Sequence, residues 1–195
     1  MLRIRILRSG AVILLREVQG AALLEFAIVL PLLMVFVVGI FDFSGAFNQK
    51  QKIDQAAQEG AIIAGAQPMS DIASSNANPD SLQPVVTAVF NSLAASGVVP
   101  KGTCGPPVTP THSGPNLKWT YTISGCPDDL VIVIDRGWVS TSSTSTSTTA
   151  AVGTTVKVTY PYHWRFNSVI QVLIPGAGYA AVTNLTESAT VHNPM

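Results

Sequence analysis

From residue 21 to residue 41 the chain reads AALLEFAIVLPLLMVFVVGIF, 21 residues with a single charge, Glu25. A helix of that length rises about 1.5 Å per residue and reaches about 30 Å, the thickness of a bilayer's hydrocarbon core. The stretch is therefore expected to span a membrane. Its two irregularities are informative. A carboxylate sits one turn inside the run, and Gly20 stands immediately before it. A charge at the centre of a membrane helix costs about 2.5–3.5 kcal/mol, and less toward an end, so a use for Glu25 is expected. Pro31, in mid-run, removes one backbone hydrogen bond, which membrane helices tolerate when neighbours re-satisfy the freed carbonyl.

The flanks set an orientation. Residues 1–19 hold Arg3, Arg5, Arg8 and Arg16 against Glu17, whereas the remainder holds seven basic and ten acidic side chains. A basic segment before a span places the N-terminus inside and the C-terminal part outside. The remainder has no basic patch, which argues against a nucleic-acid partner. Cys104 and Cys126 fall in the part placed outside, where thiols oxidise. A disulfide between them is expected there, with two unpaired thiols as the alternative. Cleavage after the apolar run would need a small-residue site, and Ser44-Gly45-Ala46 is a poor one. Cleavage before the run, after Gly20, would leave the helix as an anchor. An uncleaved signal anchor is the simpler alternative.

Gly20, the four apolar residues 21–24, then Glu25 and Phe26 resemble the prepilin processing motif. The wider segment, with Pro31, Gly39 and Asp42-Phe43, is similar to the TadE-like family, pseudopilins of the bacterial tight-adherence (Flp) pilus. The resemblance covers about residues 20–65 and returns weakly near the C-terminus, where a VKVTYPY strand precedes a strand ending in ESATV. It implies several roles. Gly20 would mark the site of a prepilin peptidase and Ala21 would become the new N-terminus. Glu25, with Phe26, would be an assembly contact, its carboxylate pairing with a neighbouring subunit's terminal amine. The partners implied are that peptidase, other pilus subunits, an inner-membrane assembly platform and the lipid bilayer. The location implied is the bacterial inner membrane, in a single pass, with the pilus itself as the alternative. Other readings are an uncleaved TadG-like adhesin and a signal-anchored extracytoplasmic binding module or enzyme.

Beyond the span, residues 42–66 contain no proline and carry an apolar stripe through Phe43, Ala46, Phe47, Ile53, Ala57, Ala61 and Ala64, which predicts an amphipathic continuation of the helix. Lys50 and Asp54 interrupt it as an i,i+4 pair. Residues 67–80 read as a loop. Residues 81–95 read as a short helix with Leu82, Val85, Val86, Val89, Phe90 and Leu93 on one face, ended by Gly97. Strands are predicted at 117–123, 130–134, 154–162 and 178–191, a turn at 125–129, and a helix under the sheet at 165–174. Residues 140–150, nearly all Ser and Thr, read as a flexible loop. The expected fold class is α+β. A long N-terminal helix, its leader at 1–20, transmembrane half at 21–41 and amphipathic half at 42–66, packs on a small antiparallel sheet in a head at 67–195, pilin-like.

Little catalytic chemistry is expected. His112, His163 and His192 share no ligand spacing with the cysteines, so no metal site or cofactor is predicted. Asp128, Asp129 and Asp135 lack the ladder of oxygen ligands that Ca²⁺ needs. Phosphate loops and nucleophile elbows are absent, so neither enzyme activity nor a small-molecule substrate is expected. Trp119, Tyr121, Tyr160, Tyr162 and Trp164 are read as the aromatic part of the sheet's core.

Overall fold

The computed structural model describes residues 7–102, 104–106, 109–112, 116–144, 147–166, 171, 176 and 182–193, with side chains from Gly20 on except at 142–151. Helix α1 spans Leu7–Ala66. A 3-10 turn at Asp80–Leu82 leads into α2, Gln83–Ala95. Five strands follow: β1 Thr111–His112, β2 Lys118–Cys126, β3 Asp128–Thr144, β4 Ser147–His163 and β5 Val182–His192. The class is α+β, as expected. The chain divides into two compact units. One holds Met1–Ser44 with Arg165–Tyr179, the other Gly45–Trp164 with Ala180–Met195.

In the second unit the strands form one antiparallel meander in the order β1-β2-β3-β4-β5. Alternate residues point to opposite faces of a strand. One face buries Trp119, Tyr121 and Ile123 of β2, Leu130, Ile132 and Ile134 of β3, and Val156, Val158 and Tyr160 of β4. The same core contains Ile53, Ala56, Ala57, Ala61 and Ala64 of α1 and Val85, Val86, Val89 and Leu93 of α2. Small residues on α1 are what the close approach requires. A Cβ on Gly60 would collide with Val89 Cγ2 and fall 3.2 Å from Val156 Cγ1. The opposite sheet face is hydroxyl-rich, with Thr155 Oγ1 2.8 Å from Thr190 Oγ1 and Thr159 Oγ1 3.0 Å from Thr186 Oγ1. That is the one-sided burial typical of an antiparallel sheet.

Helix α2 stops where its sequence says it should. Gly97 adopts φ +73°, its N–H donates to Ala94 O and that of Val98 to Leu93 O, the paired bonds of a Schellman ending.

Several expectations need correction. The described residues of the Ser/Thr-rich stretch, 140–144 and 147–150, are strand and not loop. β3 and β4 stay paired from Trp138↔Gly153 to Thr144↔Ser147. Threonine is β-branched and favours extended backbone, and the ladder already formed by 131–135 and 155–159 extends into it at little entropic cost. Among the described residues the sheet has five strands where three or four were expected, because Thr111 and His112 pair with Thr120 and Trp119. Lys50 and Asp54 do not pair. Lys50 Nζ reaches Glu187 of β5 at 3.1 Å, and Asp54 accepts from Gln58 Nε2. Phe43 and Phe47 leave the predicted stripe and stay 67% and 54% exposed. Of the helix predicted at 165–174, residues 167–170 and 172–174 lie outside the described residues.

Candidate functional site

The run at 21–41 forms part of α1 and is bare over most of its length. Among the described residues α1 is the one helix long and apolar enough to cross a bilayer, and none of its most apolar window is buried. Gly20 lies within the helix, and nothing stands within 4 Å of where its Cβ would be. Ala21 and Glu25 are exposed and Phe26 is 61% exposed. Residues 21 and 25 are one helical turn apart on one face, close enough for their groups to interact within a chain. Among the described residues Glu25 has no ionic or hydrogen-bonded partner.

The end of the run is different. Asp42 is 6% exposed, and its Oδ2 accepts the Phe166 backbone N–H at 2.7 Å. The Phe166 ring lies 3.8 Å from the Cβ position of Gly39.

In the head, the C-terminal end of α1 is closed by Arg136. Its guanidinium donates to the carbonyls of Ala64, Gln67 and Pro68 and to Met69 Sδ, from a side chain with no exposed surface. The last carbonyls of a helix lack intrahelical partners, and a cation there satisfies both their lone pairs and the dipole. Burial pulls the Arg136 pKa below its usual value, and the Asp71 carboxylate opposes that. Burial would raise the Asp71 pKa. The Ser81 N–H, 2.8 Å from its Oδ2, and the charge of Arg136 outweigh this, so the pKa lies below 3.8. Sequence reasoning passed over this residue. The signal was present: Leu130, Ile132, Ile134 and Arg136 share one parity, so the strand aims the arginine into the core.

The structure joins Cys104 to Cys126 with their Cα atoms 5.3 Å apart, and Tyr160 Oη donates to the Cys126 carbonyl. The histidines and aspartates serve separate places. His112 stacks on Trp119 at 4.8 Å and bonds the carbonyls of Lys118 and Ser74. His163 Nε2 lies 2.7 Å from Asp128 Oδ2, and His192 lies beside Trp138. Asp135 Oδ1 accepts the Gly137 N–H. Among the described residues no three His, Cys, Asp or Glu converge as metal ligands would. Of the five aromatics, Trp119, Tyr121 and Tyr160 are in the core. Tyr162 and Trp164 are only half-buried and meet edge to face at 5.1 Å.

The model of the TadE-like protein family matches residues 20–61. The match covers Gly20, Glu25 and most of the small-residue face of α1, and it points to a protein related to the Tad pilus. No curated protein matches the chain, and no solved structure matches it.

Proposed function

We propose that the protein is a pseudopilin, or minor pilin, of a Tad pilus. It is inserted once in the bacterial inner membrane with its head outside, cut after Gly20 by a prepilin peptidase, and used in building an adhesive fibre. The observation that carries this reading is Glu25: an exposed carboxylate, without an ionic partner among the described residues, inside an apolar run that the TadE-like family model matches. Such a charge is costly in lipid unless something pairs with it. Cleavage after Gly20 creates a positive amine at Ala21, and the amine of a neighbouring subunit then offers Glu25 a partner and fixes the axial register of the two helices. Gly20 suits the cut because it has no side chain to exclude from a peptidase cleft. The helix also holds less firmly there, since glycine costs about 1 kcal/mol relative to alanine in a helix. The protein is thus the substrate of an enzyme and not itself one.

Intact mass and the N-terminal residue of the protein from its own membranes test the reading. The wild type should begin at Ala21, and Gly20→Phe should keep its leader. Identical full-length masses for the two would leave an uncleaved anchor. Glu25→Gln should still be inserted and processed but should fail to co-purify with other pilus subunits and give few surface fibres. Normal fibres from that variant would remove the assembly role from Glu25.

A further inference from the structure

The apolar run of α1 is exposed from residue 21 to 34, and the covered positions gather at its far end. Val35, Val38 and Gly39 are partly covered and Asp42 is buried. Spaced by three and four, these four lie on one face of the helix. Phe166, 124 residues away in sequence from Asp42, meets that face. Its ring sits against Gly39 and its N–H holds the Asp42 carboxylate. Gly39 belongs to the run and lies about 3 Å before its last residue, Phe41, by the helical rise. A side chain that touches Gly39 is therefore at the depth of the last turn of the span.

We propose that Arg165 and Phe166, where the chain leaves β4, form a second membrane contact, seated in the leaflet from which α1 emerges, with phospholipid as the partner. The proposal rests on the reading of residues 21–41 as a transmembrane helix. Lipid is the occupant because the contact is continuous with the span, through Gly39. The chemistry of the pair agrees with this. Interfacial segments combine Phe, Trp or Leu with Lys or Arg, the apolar side chain entering the acyl boundary while the cation meets phosphate. Arg165 is exposed and free to do so. From Phe166 to Thr186 the sequence has no Asp, Glu, Lys or Arg, so nothing charged follows that would be dragged out of water. Asp42 fits the same picture. A carboxylate at a membrane edge needs a donor, and the Phe166 N–H supplies one, which ties the second contact to the first.

The test uses the full chain, disulfide intact, in nanodiscs of phosphatidylcholine and phosphatidylglycerol. Nitroxide labels are placed one at a time at Leu30→Cys, Phe166→Cys and Thr186→Cys. Accessibility to oxygen is compared with accessibility to a water-soluble nickel chelate. The oxygen-to-nickel ratio at 166 should approach that at 30 and exceed that at 186 by about fivefold, as for an interfacial site. A ratio at 166 equal to that at 186, with 30 reading as bilayer, overturns the proposal while leaving the spanning helix intact. A water-exposed label at 30 overturns the spanning helix and the proposal together. Phe166→Trp keeps the aromatic ring and guards against the loss of it in the cysteine variant. In nanodiscs of lipid brominated high on the acyl chain it should lose more fluorescence than the unaltered chain does. Equal losses count against the contact.

Discussion

Residues 21–41 and 45–66 belong to one helix and draw on much the same stock of alanine, glycine and branched apolar side chains. Their surroundings are opposite. In the first stretch Ala21, Ala22 and Ala27 are exposed and Gly20 has nothing near it. In the second, Ala56, Ala57, Ala61 and Ala64 have no exposed surface and Gly60 has two valines against it. The small residues do not decide this. The other side of the helix does. The second stretch is lined with Gln51, Gln55, Gln58 and Glu59, which must face water, so the apolar side must turn to a sheet. The first stretch has no such side, and a helix that is apolar all round is solvated by lipid or buried in protein. Small residues report close approach only when a polar face tells the helix which way to turn.

The comparison breaks most sharply where α1 ends. Arg136→Ala removes a buried side chain and its donors to three carbonyls, of which that of Ala64 keeps the Gln67 N–H. It should destabilise the head by about 4 kcal/mol in urea unfolding, with Arg136→Lys recovering part of the loss. An unchanged midpoint for the alanine variant would mean that the carbonyls find water.

Next in size is a matched pair. Gly60→Leu drives a side chain into Val89 and Val156 and should cost about 3 kcal/mol of head stability, because the core has no room to give. Gly20→Leu, with open space around it, should leave the unfolding of the head unchanged. Equal effects of the two would erase the distinction between the bare and the packed parts of α1.

Lys50→Met sharpens the same contrast. Its ion pair with Glu187 is half open to water, so its loss should cost at most about 1 kcal/mol, and less in high salt.

The smallest effect is a pH dependence. The folded pKa of Asp71 is depressed below 3.8, so its contribution is fully present above that value and is lost as pH falls through the folded one. The stability difference between wild type and Asp71→Asn should therefore be flat from pH 7 to about 5 and close in the acid range. A difference that grows on acidification would mean that the shift has the opposite sign.

Much of this architecture was legible in the residues. The run at 21–41 follows from its unbroken apolar composition, and the amphipathic continuation, α2 with its glycine stop and the strand at 154–162 follow from apolar periodicity; both are local properties of the chain. The Ser/Thr stretch was misread because low complexity says how little side-chain information a segment carries. It says nothing against extension when flanking strands are already paired. Phe43 and Phe47 were misread because the stripe was drawn through every apolar residue at the right spacing, and a stripe cannot tell which of two adjacent directions is covered. Of the candidate site, Glu25 stands out from composition, since a charge in an apolar run needs no structure to be noticed, whereas the roles expected of Gly20, Ala21 and Phe26 come from the resemblance to the prepilin motif.

The sequence by itself determined that one helix is apolar enough to cross a bilayer, where its lone carboxylate sits, and which residues of each strand share a face. Only the tertiary structure decided that Arg136 closes the end of α1 and that the carboxylate of Asp42 is held by the backbone of Phe166. The reason is physical. Periodicity fixes the direction in which a side chain points relative to its own backbone. Its partner lies 72 residues away in the first case and 124 in the second, and is fixed only by how the whole chain closes on itself.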